Sequence, residues 1–525
     1  MVNKIGSISL NIENTFQSKE ESADYEKALK LCGYGKFHYG FVLVCGVMFL
    51  CAGLQNGVNA YILPAAGCDL QLSSEEKGFL NVAFLVGGVI SSLVWGIASD
   101  AYGRKNILLG TLISDSFVCV LASLSQSFTM LLIFRTVGGF TIGAPGALVF
   151  TYLGEFHSEK QRSKSICYVG FFWTISWLIL PGLAWTIIPL SFSLRIHGFV
   201  FNSWRLYLLL TGLPALLISL IGINYPESPK FLVAKGRTEE ALQVLRKMYA
   251  INTGRDESEY PVKYLISEYG MSAKELEACD ADSNLTELLR NIWNQIRALT
   301  APPFLKYIVL SSSIFFLNMF GYYGLGLWLP ELFNRFESHY KLQPNVSVSV
   351  CELINNANKT EVFRLSKRDI FVPACTGMNE QVFINTLTIN AICLLGNVAS
   401  GYLADRVGRR TIPVTTMLVA GISSVAIYFV RSSSQNLIVS CIFSLAIATA
   451  NFALSGVVVE IFPTHVGAIA ICLSVCFGRI GAIASNLIFG MLLDISCEVP
   501  IFLVGSMVLL GGFLGFLIPR SKSLS

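Results

Sequence analysis

The chain has 525 residues, 53% of them hydrophobic and only 14% charged, with a formal net charge of +4. A soluble chain of that length would carry more charge, so the composition points to a polytopic membrane protein embedded in a lipid bilayer. A net charge of +4 is too small to argue for a nucleic-acid partner.

The first 38 residues are polar (Lys4, Glu13, Lys19, Glu20, Glu21) and hold no short apolar core with a cleavage site, so the first span is expected to act as the targeting signal. Twelve spans are expected, each about as long as a ~30 Å hydrocarbon core requires. They run over 39–63, 78–99, 107–127, 130–153, 166–188, 205–224, 306–330, 383–404, 412–430, 436–459, 466–489 and 499–518. The loops after spans 2, 4, 6 and 8 carry the lysines and arginines, which places both termini in the cytosol. The expected organisation is a cytosolic tail (1–38), a first six-helix bundle (39–224), a cytosolic segment (225–304) and a second bundle (305–518). A tail follows at 519–525.

One decapeptide explains why there are two bundles. Gly96-Ile-Ala-Ser-Asp-Ala-Tyr-Gly-Arg-Lys105 returns as Gly401-Tyr-Leu-Ala-Asp-Arg-Val-Gly-Arg-Arg410, in register at a spacing of 305 residues. Each copy joins two apolar runs. Asp100 and Asp405 can meet Arg104 and Arg409, while Gly103 and Gly408 supply a tight turn. Glu155 and Glu460, also 305 apart, end the fourth and tenth spans beside these hairpins and read as an ionic gate on the cytosolic face. An ordinary surface pair would contribute little there.

In the cytosolic segment, Ala241, Val244, Leu245 and Met248 repeat at helical spacing, which predicts an amphipathic helix over 236–249. The loop 334–382 faces the other side. It carries the glycosylation acceptors Asn345 and Asn358, and Cys351 and Cys375 there are expected to pair in an oxidising compartment. Most other cysteines fall inside spans and read as small packing residues. No Cys/His spacing resembles a metal site, no nucleophile–base constellation or phosphate-cradling loop appears, and no cofactor or enzymatic chemistry is expected.

Charge and amide groups inside spans mark candidate functional positions. Asp115 (span 3) and Arg135 (span 4) differ by roughly 10 Å in depth. An ion pair, a protonated hydrogen-bonded acid and a proton site all remain open for Asp115. Arg479 sits midway along span 11, as a charge facing the central cavity or one balanced within the bundle. Gln55 and Asn59 share one face of span 1. With Trp173, Trp177, Tyr323, Asn451 and Arg479 they form the expected cavity set, with Trp328 a weaker candidate near a span end.

The paired hairpins resemble the loop signature of the major facilitator superfamily. Pro226-Glu-Ser-Pro-Lys-Phe-Leu232, Glu460-Ile-Phe-Pro-Thr464 and Trp204-Arg205 resemble stretches shared by sugar porters, organic ion transporters and the synaptic vesicle glycoprotein 2 family. Phe172-Trp173 through Ala184-Trp-Thr-Ile-Ile-Pro189, Phe320-Gly-Tyr-Tyr-Gly-Leu325, Trp328-Leu-Pro-Glu331 and the long glycosylatable loop are most similar to the last of these. The resemblance implies an all-α membrane fold, two pseudo-symmetric six-helix bundles of the major facilitator type around a midplane cavity. It implies transport of a small organic solute, or, as a rival, a vesicle protein that regulates secretion through cytosolic trafficking partners. The sequence departs from the pattern at Ala52 and Gln55, where relatives carry acids. It departs again at Ser158, where proline is usual, and at Gly467, where arginine is usual.

Overall fold

The first apolar run does not form one straight helix. The structure, a computed structural model, describes residues 22–196, 199–265, 297, 299–302, 304–342, 379–407, 410–462, 464–496 and 498–518. After strand β1 (Ser22–Ala23) and helix α1 (Tyr25–Leu31), the run divides at Val58 into α2 (Lys36–Gly57) and α3 (Asn59–Asp69). Pro64 lies inside α3, where it cannot donate a backbone hydrogen bond. Helices α4 (Ser74–Tyr102), α5 (Arg104–Ser123), α6 (Phe128–Glu155) and α7 (Glu159–Ile187) follow. The hairpin β2 (Ser193–Ile196) and β3 (Phe199–Asn202) leads into α8 (Ser203–Gly222). Then come α9 (Pro229–Ala234), α10 (Thr238–Thr253) and β4 (Tyr264–Leu265), which pairs in parallel with β1. The second half is α11 (Phe304–Leu342), α12 (Glu380–Val407), α13 (Thr411–Phe429), α14 (Ser433–Ile461), α15 (Thr464–Leu492) and α16 (Glu498–Gly515).

Among the described residues, counting α2 with α3 as one span and α4, bent by 41°, as another gives twelve. Their termini are set locally. Ser73 and Glu76 close a capping box at α4, and Ser127 and Ser432 cap α6 and α14 through their hydroxyls. Large apolar side chains such as Phe117, Leu217, Leu220, Phe429 and Phe513 point outward, as a lipid-facing surface requires.

The two halves repeat one packing scheme. In the first, α2 packs on α7, α5 on α8 and α4 on α6; in the second, α11 packs on α15, α13 on α16 and α12 on α14. The bundles meet through α4 against α15, α7 against α12 and α3 against α11. The first of these crossings needs glycine: a Cβ at Gly78 would lie 2.9 Å from the Gly490 Cα.

The sequence-predicted hairpin forms at α4–α5. Gly103 has φ +98°, and a Cβ there would also strike the Glu227 carboxylate. Arg104 reaches Asp100 at 2.9 Å and Glu155 at 3.3 Å, so it ties the ends of α4 and α6 inside one bundle. The matching residues Asp405, Arg409 and Glu460 lie outside the described side chains. The acceptors Asn345 and Asn358 and the pair Cys351 and Cys375 lie outside the described residues altogether. Cys68 is disulfide-bonded, a bond the sequence reading did not assign.

On the hairpin face, the amino-terminal segment and α10 form a small assembly against the first bundle. Helix α10 buries Ala241, Val244, Leu245 and Met248, the face read from the sequence. The Glu26 carboxylate accepts from the Glu159 amide at 2.8 Å. It thereby caps α7 from outside, because Ser158 makes no side-chain cap of its own. Tyr25 donates to the Glu155 carbonyl, and Tyr260 donates to that of Ala28 at 2.6 Å. Asn252 donates to the Cys32 carbonyl and accepts from the Phe37 amide, both at 3.1 Å.

His157 sits fully buried in the α6–α7 turn, its Nδ1 2.8 Å from the Leu153 carbonyl and its Nε2 without a partner. Burial, opposed by that carbonyl, pulls its pKa from 6.5 to about 4. The folded chain therefore resists a proton that the unfolded chain accepts. The stabilisation is whole above about pH 6.5 and is lost as pH falls towards 4, by about 3 kcal/mol at most. Melting temperature in detergent should fall across that window, and His157→Gln should flatten the fall. An equal slope in the variant would reject the assignment.

Candidate functional site

A cavity lies between the bundles. Its first-bundle wall is Ala60 and Tyr61 of α3 with Trp173, Thr174 and Trp177 of α7. The second bundle contributes Tyr322 of α11, a polar stripe on α12 (Thr386, Asn390, Asn397), and Phe443, Ser444 and Phe452 of α14. Helical spacing explains the convergence: Trp173 and Trp177 are four residues apart, and Thr386, Asn390, Cys393 and Asn397 follow one face of α12. The Tyr61 hydroxyl faces Thr386 and Asn390 across the bundle interface. The Trp177 indole nitrogen is buried with no hydrogen-bond partner, a donor left available to a bound molecule. The free space is about 70 Å³, room for roughly two waters at their liquid volume. Among the described residues, no charged side chain lines it.

Two of the seven sequence-predicted cavity residues, Trp173 and Trp177, line this space. The other five sit elsewhere. Gln55 is turned into the first bundle, donating to the Thr211 carbonyl at 3.3 Å and accepting from Arg135 at 3.1 Å. Asn59 donates to the Leu80 carbonyl at 3.3 Å. Tyr323 packs edge-on against Tyr322, with ring centroids 5.0 Å apart, and stands one position off the cavity face. Asn451 accepts from Asn318 at 3.2 Å. Arg479 lies half-buried against α4, where a Cβ on Gly88 would come 2.9 Å from its guanidinium. Trp328 donates to Asn486 at 3.1 Å and stacks on Phe489, as a packing residue does.

The sequence reading did not single out the α12 stripe, Tyr61 or Tyr322. The stripe carried a signal: polar groups at 386, 390 and 397 recur at helical spacing within an apolar run. Arg205 was noted only as part of a motif. It is fully buried, paired with Asp69, bonded through Nε and a terminal nitrogen to the Ser125 carbonyl at 3.1 and 2.8 Å, and stacked on Trp204.

Charged groups also close the face opposite the hairpins. Lys77 of α4 meets Glu331 of α11 at 2.8 Å, a pair with side chains about one-tenth exposed that joins the bundles. Arg335 bonds Glu331 at 3.0 Å, Asp494 at 2.9 Å and the Ser74 hydroxyl at 2.9 Å. Trp185 of α7 adds a second link, donating to Glu380 of α12 at 3.2 Å. Removing one member of a buried pair strands the other charge, at a cost of about 3–5 kcal/mol. Glu331→Leu should therefore lower thermal stability and raise the reactivity of a cysteine placed at Thr174. Lys77→Met combined with Glu331→Leu should recover much of the loss. Additive losses in the double variant would exclude the pair as a gate.

The sequence profile of the sugar (and other) transporter family matches residues 4–354. Synaptic vesicle glycoprotein 2C of Mus musculus is 25% identical, over 98% of this chain and 83% of that protein. Synaptic vesicle glycoprotein 2B of Homo sapiens is 24% identical, over 98% and 88%. The chain is similar in fold to the xylose transporter XylE from E. coli in its partially occluded inward-open conformation. The TM-score is 0.65 at 17% identity, covering 93% of this chain and 99% of that one. The inward-open conformation of the same transporter gives the same TM-score and identity.

Proposed function

The chain belongs to the sugar (and other) transporter family, and from that premise we propose that its cavity carries a small uncharged organic solute. It is a multi-pass membrane transporter with the two-bundle major facilitator fold, in which alternating access exposes a midplane site to one face and then the other. The uncharged wall carries the substrate assignment. A charged solute would lose its hydration without gaining a counter-ion, whereas indole, phenol and amide groups suit a neutral molecule with several hydroxyl or carbonyl groups. Trp173 and Trp177 give stacking faces, and Asn390, Asn397, Thr386 and the free Trp177 N–H give directional hydrogen bonds.

The loops rich in lysine and arginine support cytosolic termini, which makes the face closed by Lys77 and Glu331 the outer or luminal one. On that reading the conformation is inward-facing. Similarity to vesicle glycoproteins supports residence in a vesicle membrane.

The test is a thermal-shift screen of the purified full chain against neutral sugars and polyols, organic cations, organic anions and nucleotides. A neutral compound should raise the melting temperature of the wild type, by roughly 2.7 kcal/mol of stabilisation at a hundredfold excess over its dissociation constant. Trp177→Ala and Asn390→Ala should each weaken that shift at least tenfold in concentration. Stabilisation by ions alone, undiminished in both variants, would overturn the assignment.

A further inference from the structure

Inside the first bundle, away from the cavity, a carboxyl group and a guanidinium lie buried without meeting. Asp115 of α5 and Arg135 of α6 are 0% and 2% exposed. Arg135 spends its terminal nitrogens on neutral acceptors of one residue, the Gln55 side-chain oxygen at 3.1 Å and its main-chain carbonyl at 2.9 Å. Its carbon lies 4.5 Å from the centre of the Phe84 ring. The Arg135 Nε has no acceptor and the Asp115 Oδ2 has no donor, although both are buried. Unused complementary groups at membrane depth are costly, and need an explanation.

Thr141 supplies one. Its hydroxyl lies 3.3 Å from Asp115 Oδ1 and 3.0 Å from the Gly138 carbonyl. A hydroxyl has a single proton, so it can donate fully to only one of them. If that proton goes to the nearer Gly138 carbonyl, the Thr141 oxygen becomes an acceptor, and Asp115 can use it only by carrying a proton. If Thr141 turns to donate to Asp115, the acid suits its ionised form, and the idle Arg135 Nε–H is the donor that Oδ2 lacks. Two self-consistent hydrogen-bond patterns therefore exist, differing by one proton. The surroundings do not select between them, because burial opposes the charge and Arg135 favours it.

We propose that Asp115 is a proton-binding site within the first bundle, protonated while it donates to Thr141 and deprotonated when it engages Arg135. The step breaks the carboxyl O–H bond and forms an O–H bond to water, with no redox change. Groups face Asp115 from each neighbouring helix. From α2 come the Cys51 thiol and the Gln55 amide, from α5 itself the Cys119 thiol, and from α6 Arg135 and Thr141. Helix α8 offers the Thr211 carbonyl to Gln55, and α4 offers Phe84. Among these described neighbours Arg135 alone bears a fixed charge.

Infrared difference spectroscopy of the full chain in lipid nanodiscs, between about pH 5 and about pH 9, reads the site without any substrate. The wild type should show a buried carboxylic-acid carbonyl band that disappears with rising pH and is missing in Asp115→Asn. In Thr141→Val the band should shift in frequency, because its acceptor is gone. In Arg135→Gln its midpoint should rise by more than about one pH unit, because the cation that favours ionisation is gone. The proposal is overturned if the wild type shows no such band across that range, or if the band persists in Asp115→Asn. Should Asp115→Asn fail to fold, an unmoved band in Thr141→Val would overturn it equally.

Discussion

The pair formed by Lys77 and Glu331 decides which face of the molecule is shut. Both side chains are nearly withdrawn from water, so each depends on the other for its charge to be tolerable. Because one belongs to the first bundle and one to the second, separating the bundles on that face means exposing both to solvent. Arg335 strengthens the arrangement by gathering Glu331, Asp494 and Ser74 around one guanidinium. The glycine contact between Gly78 and Gly490 adds a second closure on the same face, where α4 crosses α15. Among the described residues, the hairpin face is organised differently. There, Arg104 connects Asp100 and Glu155 inside the first bundle, and the amino-terminal segment and α10 fasten to that same bundle.

This division of labour makes chemical sense of the cavity. Among the described residues, charged pairs close the face opposite the hairpins, while the central wall is left to aromatic rings, hydroxyls and amides. An uncharged wall can be covered and uncovered as the bundles rock without a large desolvation cost in either position. Two buried arginines of the first bundle, Arg135 and Arg205, are held within it by carbonyls and, for Arg205, by Asp69 as well.

Much of the architecture was legible in the sequence, and the reasons are physical. Span lengths follow from bilayer thickness, and the repeat of Gly96–Lys105 at Gly401–Arg410 exposes the two-bundle plan. Gly103 could be read as a turn residue because only glycine meets both its φ and the Glu227 contact. Helix α10 was legible because its apolar face has a clear period. The site was legible only in part. A one-residue step turns a helical side chain by about 100°, so Tyr322 reaches the cavity while Tyr323 does not. Gln55 looked like a cavity amide, but no local pattern announces that Arg135, 80 residues away, will claim it. Nor can a single sequence tell which of many intramembrane polar groups will find partners inside their own bundle.

The cavity tryptophans have an optical consequence. Of the seven tryptophans in the chain, Trp173 and Trp177 stand in the cavity wall on successive turns of α7, and Trp177 keeps an unengaged indole N–H. Indole emission responds to local polarity and hydrogen bonding. Native fluorescence of the unlabelled protein therefore contains a component that senses whether the central chamber is wet, dry or filled. Trp204, locked between Asp69 and Arg205, supplies an internal reference in the same spectrum.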